Sequence, residues 1–258
     1  ANAMGAILGD GWAVGKVGMS SRQWYARLPQ LLAQLEVTLE DGSRTIIATN
    51  GEWTHQHGPL LDNDMQGGEA YDARLEFGDW SSPGFDESTW LPVKVFEPKD
   101  AALVAHNGPS VKRVQELLPV AEPQVDGDLV NRQYIFDMGQ NMVGRVRIKG
   151  SAPAGTTVTL RFAEVLDDEG KLYTDNLRDI RVKDYYTFKG EGVEEWEPKF
   201  TFHGIRYVEL INYPGPIESD TITGVVLHSD MEQTGNFSCS NARLNQLQHN
   251  ILWGQKGN

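Results

Sequence analysis

This chain has almost no cysteine. Cys239 is its single thiol, so no intrachain disulfide framework holds it together, and that usage leans towards a reducing, cytoplasmic setting. Basic residues are scarce as well: 23 Lys and Arg against 36 Asp and Glu leave a formal net charge of −13. Such a surface repels phosphate backbones, and no Lys/Arg cluster offsets it, which excludes nucleic acid as a partner. No stretch approaches the ~18 consecutive apolar residues of a membrane span, so no membrane partner is expected. The opening residues, ANAMGAILGDGW, lack the basic n-region of a secretory signal. There is no phosphate-loop GxxxxGK[ST], no nucleophile elbow, and no self-similar repeat of about 20–50 residues. The six histidines are scattered without HExxH spacing. His55 and His57 alternate along one predicted strand, but no third ligand accompanies them.

What is present points to strands. Hydrophobic residues make up 40% of the 258, with seven Trp, eight Tyr and nine Phe, enough for real cores. Gly 27 and Pro 12 suit a turn-rich β protein, and the length allows two domains. Leu31 to Thr38, the turn Asp41-Gly42 and Thr45 to Thr49 read as a hairpin. Residues 79–90 (DWSSPGFDESTW) read as a surface loop. A second set of strands starts near Ser110. There Val158, Leu160 and Phe162 share one face, while Thr159 and Arg161 point to the other. Ile205 to Ile211 and Thr221 to His228 are apolar on both faces and read as central strands. After Ser238-Cys239-Ser240, a predicted N-cap region, the period changes. Leu244, Leu247, Ile251 and Leu252 recur at helical spacing and form a stripe that needs a partner layer.

Four blocks carry candidate chemistry. In FDMGQNMVGRVRI, Asp137, Gln140 and Asn141 sit in a predicted Gly-containing turn between two strands. Their first reading is structural, because Asp and Asn side chains bond turn amides; the functional one has them facing sugar hydroxyls. In RFAEVLDDEGKLYTDNLR, Glu164 stands at a strand end, placed either to pair with Arg178 or to meet a ligand. Asp167, Asp168, Glu169 and Gly170 lack EF-hand spacing and read as a solvated turn. In FTFHGIRYVEL, His203 and Arg206 flank a Gly turn, and a hydrogen-bonded histidine is favoured over a general base. The fourth block is DNDMQGGEAYDARLE. There Asp64, Gln66, Glu69 and Asp72 supply acceptors and amides for paired hydroxyls, beside Tyr71 as a stacking ring, the usual chemistry of carbohydrate recognition. Its competing reading is a structural Gly-rich turn. Calcium near Asp64 and Glu69 is the one cofactor this reading allows.

Taken in order, FDMGQNMVGRVR, RFAEVLDDEGKLYTDNLR, FTFHGIRYVEL and NILWGQKGN resemble bacterial α-L-rhamnosidases, glycoside hydrolases that remove terminal L-rhamnose. GEAYDAR is similar to a segment of that family's N-terminal domain, part of which resembles a calcium-dependent rhamnose-binding module; Gly67 stands where relatives commonly carry Asn or Asp. LGDGW looks like a late strand of the same domain. The resemblance implies an all-β fold of two β-sandwich domains, jelly-roll or galactose-binding-like. Residues 1–100 are the first, incomplete at its start, and 101–236 the second. Residues 237–258 are then the first helix of a truncated (α/α)6 catalytic barrel. It also implies an inverting two-carboxylate mechanism in that barrel, so no catalytic residue falls within this chain, which is expected to be inactive alone. Asp137, Gln140, Asn141, Glu164, Arg178, His203 and Arg206 would face the barrel or shape its site. The implied partners are rhamnose-containing glycosides and the barrel itself. A free-standing carbohydrate-binding module and a purely structural interaction domain remain as alternatives.

Overall fold

The computed structural model describes residues 2–18, 21–97, 102, 104–127, 132–178 and 180–258. The expected junction at residues 100 and 101 lies outside the described residues. A one-turn helix α1 (Gly11–Val14) comes first. Then follow β1 (Gln34–Thr38), β2 (Arg44–Ala48), β3 (Thr54–His55), β4 (Leu60–Asp64), β5 (Gly68–Asp72) and β6 (Leu91–Pro92). The second half holds β7 (Val111–Leu117), β8 (Gln124–Asp126), β9 (Gln133–Gly150), β10 (Thr157–Ala163) and β11 (Lys183–Thr187). After them come β12 (Glu194–Trp196), β13 (His203–Ile211), β14 (Ile222–Ser229) and the helix α2 (Ala242–Lys256). The protein is mostly β with one substantial helix near its C-terminus, the class its alternating apolar pattern predicts.

Ten strands form one sheet in the order β4-β5-β11-β10-β13-β9-β14-β7, with β8 and β12 also paired to β9. Long β9 is the spine: β13 and then β12 lie along one edge, β8 and then β14 along the other. Alternation along β10 buries Val158, Leu160 and Phe162 as expected. These meet Phe136, Met138, Val146 and Ile148 of β9, Val208 and Leu210 of β13, and Ile222 and Val226 of β14 in one cluster, over which the sheet curls. β13 and β14 are buried on both faces along much of their length and are interior strands, again as their apolar runs predict. Every pairing in this sheet is antiparallel except β5 with β11, which is parallel and joins residues 70–72 to residues 185–187. The β1–β2 hairpin forms as predicted; Gly42 at φ +82° lets its loop close, and Asp41 takes the Ser43 N–H.

Three local expectations are corrected. LGDGW is not a strand: residues 8–10 are irregular and Gly11–Val14 is helical. FDMGQNMVGRVRI is not strand–turn–strand but part of the single strand β9. Its glycine, Gly139 at φ +73°, sits in a bulge rather than a reversal. The N-cap of α2 is Asn241, not the Ser238–Ser240 stretch; its side chain accepts the Arg243 N–H at 3.0 Å. The helix touches the sheet through Trp253, which packs on the core cluster. Gly257, just past its end, lies so near Val143 that a Cβ there would come within 3.1 Å of the valine Cγ2. Leu244, Leu247, Ile251 and Leu252 stay exposed. No helix among the described residues is long and apolar enough to cross a membrane.

Candidate functional site

The GEAYDAR block is built into the sheet. Gly68 has φ +100°, and a Cβ on it would lie 1.7 Å from the Lys183 carbonyl oxygen, so no side chain fits between β5 and β11. Glu69, 1% exposed, accepts the backbone N–H groups of Lys199 at 3.0 Å and Phe200 at 2.9 Å. Burial pushes its carboxyl up to about 7; the two N–H donors oppose that shift and Asp184 adds to it. Tyr71 packs its ring against Tyr186 and Trp196 and donates its hydroxyl to Glu76 at 3.0 Å. Asp72 receives Arg74 through the backbone N–H and the guanidinium, which hold its carboxyl below the usual range. Asp64 takes the N–H groups of Lys16, Gln66 and Gly67. The Gln66 amide spans the Gly18 backbone, donating to its carbonyl at 2.9 Å and accepting its N–H at 3.2 Å, so all five expected sugar contacts are engaged with the protein's own groups.

The cation fit can be judged from the same bonds. A calcium ion needs carboxylate and carbonyl oxygens turned towards it, whereas Asp64 and Glu69 face N–H donors. The positive charge beside Asp64 is Arg22, which pairs with Asp10 and with Asp62 at 3.0 Å and approaches Asp64 at 3.7 Å. Among the described residues no group of three or more His, Cys, Asp or Glu could hold a metal. These residues do not fit calcium.

The second group of candidates gathers around β9 and β13. Between Asp137↔Tyr207 and Met142↔Ile205 the register slips, because β9 spends five steps where β13 spends two. Asp137 fastens this bulge: it accepts the Gly139 N–H at 2.7 Å and both ends of the Arg206 fork at 3.1 Å. Burial works against its ionised form, but Arg206 and the Gly139 N–H prevail and hold the carboxyl below its ordinary range. Gln140 bends back to the Asn141 carbonyl at 2.7 Å. Asn141 in turn donates to Glu164 at 3.1 Å. Glu164 thus pairs with Asn141 among the described residues and not with Arg178, which lies exposed at φ +55° on the following loop.

His203 opens β13 as a buried strand residue rather than a turn histidine. Its ring stacks on Phe162 with centroids 4.5 Å apart, and its Nε2 lies 3.1 Å from Asp184. Asp184, absent from the candidates, is the hub here. Fully buried, it accepts the Glu69 N–H at 2.7 Å and the Thr201 hydroxyl at 3.3 Å. The local signal was an acid inside the aromatic run DYYTF, which a strand buries only when its oxygens find donors.

Of the candidates, Gln66, Glu164 and His203 border one shallow cleft of about 220 Å3. Gln66 from the first half meets Glu164, Asn176, His203 and Gly204 from the second, with the half-exposed ring of Phe202 beside them. Amides, one carboxylate and an aromatic face can hold a polar ring. Among the described lining residues Glu164 is the one carboxylate, whereas glycoside hydrolysis commonly uses two flanking carboxyl groups.

Comparison with known proteins agrees along the chain. Residues 1–115 match the family model of the α-L-rhamnosidase N-terminal domain, and residues 128–228 that of the bacterial α-L-rhamnosidase concanavalin-like domain. An α-L-rhamnosidase of Streptomyces avermitilis is 42% identical and one of Formosa agariphila 37% identical, each over 100% of this chain. The chain spans only 25% and 28% of those two proteins. The crystal structure of the Streptomyces avermitilis α-L-rhamnosidase complexed with L-rhamnose matches 96% of the chain at 43% identity and a TM-score of 0.89, over 24% of its own length. That of native α-L-rhamnosidase from Aspergillus terreus matches 96% at 38% identity and a TM-score of 0.87, over 29% of its length. With two domain models of one family laid end to end along it, the chain belongs to the bacterial α-L-rhamnosidases and corresponds to their N-terminal, β-rich portion.

Proposed function

We propose that the chain is the non-catalytic part of an enzyme that releases terminal L-rhamnose from glycosides, and that the hydrolytic carboxylates lie outside residues 1–258. One observation carries this: two successive rhamnosidase domains fill a chain about a quarter as long as its relatives, and the described lining of its cleft presents a single carboxylate. On this reading residues 1–100 and 101–236 are two β domains joined by the β5–β11 pairing, and 237–258 begin the helical catalytic part. That part meets the edge formed by Asp137, Gln140, Asn141, Glu164, Arg178, His203 and Arg206. Gly257 supports the placement, since it rests on Val143, two residues along β9 from Asn141. The uncovered stripe of α2 offers the same partner an apolar surface. Of the residues expected to contact sugar in the first half, Gln66 is the one that lines the cleft. The single Cys239 favours a reducing compartment.

The test is direct. Purified 258-residue chain, free of host enzyme, is expected to give no turnover of an aryl α-L-rhamnoside above buffer. Turnover that co-purifies with the chain would end the proposal. The longer protein is expected to hydrolyse the same compound with inversion at the anomeric carbon, which NMR of the first-formed product reads out.

A further inference from the structure

The turn at residues 50–53, between β2 and β3, holds a reactive pair. Of the chain's asparagines, Asn50 and Asn107 are the two followed by glycine. Glycine has no Cβ to keep its backbone nitrogen away from the preceding side chain. Asn50 and Gly51 are both exposed. The Asn50 side chain folds back over the next peptide in an Asx turn, its Oδ1 accepting the Glu52 N–H at 2.9 Å. Its Nδ2 donates to Glu52 Oε2 at 3.2 Å, and its carbonyl accepts the Trp53 N–H at 3.4 Å. The fold itself does not demand glycine here. Gly51 is not among the glycines at positive φ, and a Cβ on it would meet Val95 Cγ2 at 3.5 Å, an ordinary contact.

We propose that Asn50 is a site of spontaneous deamidation in the folded chain. Hydroxide takes the Gly51 N–H proton, and the nitrogen attacks Asn50 Cγ, which the Asx turn holds close. The new N–Cγ bond leaves an oxyanion on Oδ1, where the Glu52 N–H already points. Collapse of the oxyanion breaks the Cγ–Nδ2 bond, and ammonia leaves with a proton from water. Water then opens the succinimide ring at either carbonyl, giving aspartate or isoaspartate. The new carboxylate puts an acceptor where Nδ2 donated to Glu52, so an attraction becomes a repulsion. The isoaspartyl product also adds a carbon to the main chain just before β3. That strand meets β6 only through Thr54↔Pro92 and His55↔Leu91, so the modification loosens this pair.

Incubation of the 258-residue chain in warm, mildly alkaline buffer, followed by tryptic mapping, tests this. The peptide holding Asn50 is expected to gain about 1 Da and to split into two species of equal mass, aspartyl and isoaspartyl. Arg74 and Lys94 separate it from the peptide holding Asn107, so the gain is assigned without ambiguity. Gly51→Ala, whose side chain the turn accommodates, is expected to slow the conversion about tenfold or more at unchanged Tm. A parallel incubation in guanidinium gives the unfolded reference and carries the test even if the variant does not fold. Asn50 left intact in the folded chain while the unfolded chain converts, or Gly51→Ala converting as fast as wild type, overturns the proposal. Hydrogen exchange at residues 53–55 is expected to quicken in the converted chain, and unchanged exchange there would overturn the loosening of β3.

Discussion

Glu69 shows how far a carboxylate's role depends on partners that the local sequence does not display. In GEAYDAR it reads as a hydroxyl acceptor beside a tyrosine. Its donors lie 130 and 131 residues away, on Lys199 and Phe200, and no spacing rule reaches that far. Asp64 and Asp72 pose the same difficulty, since an acid that caps backbone and an acid that meets a sugar have the same letters. Position makes Glu69 titrate unusually. In the unfolded chain it ionises near 4.5, whereas burial holds the folded carboxyl protonated up to about 7. The stabilisation it lends below pH 4.5 is therefore lost as pH rises to about 7, a swing of roughly 3 kcal/mol. Glu69→Gln removes that swing. Melting curves between pH 4 and 8 are expected to show wild type falling relative to the variant up to about pH 7 and running parallel above it. Parallel curves throughout would refute the assignment.

At the scale of elements, periodicity was readable and interruption was not. The β1–β2 hairpin, β10, β13, β14 and α2 all stand where alternation or helical spacing put them. The error in FDMGQNMVGRVR has a physical source: a bulge and a turn both call for a glycine at positive φ and an Asp to bind the next amides. Only the partner strand tells them apart. The helix presents the opposite case, with a correct element and an unfilled need. Leu247 and Ile251 are 52% and 54% exposed, so they contribute little to this chain, although each is worth roughly 1.5–3 kcal/mol once buried. Leu247→Lys and Ile251→Lys are thus expected to shift the chain's stability by less than about 0.5 kcal/mol. Trp253→Ala, which uncovers the core edge, is expected to cost about 2 kcal/mol. Thermal or urea unfolding of the three variants checks this; a large loss from either lysine would mean the stripe is already buried in solution.

The whole molecule hangs together at the parallel seam between β5 and β11. Gly68 lets the strands approach, Glu69 clamps the 199–200 backbone, and Asp184 receives the Glu69 N–H. Gly68→Ala drives a Cβ into the Lys183 carbonyl, a cost of at least about 3 kcal/mol. The expected result is loss of hydrogen-exchange protection in β4 and β5 while β9, β13 and β14 keep theirs; unchanged protection across both sets would show that the seam does not hold the halves. The seam also sets a timetable for synthesis. Glu69 and its acceptor Asp184 are 115 residues apart, so at about 5–20 residues per second the first strand leaves the ribosome roughly 6 to 23 s before its partner exists. For that interval β5 has β4 on one side and an unpaired edge on the other, and nascent chains crowded on one message could pair there with each other. Acidic residues at Asp62, Asp64, Glu69 and Asp72 make such pairing repulsive, so the block that later locks the fold first keeps its copies apart.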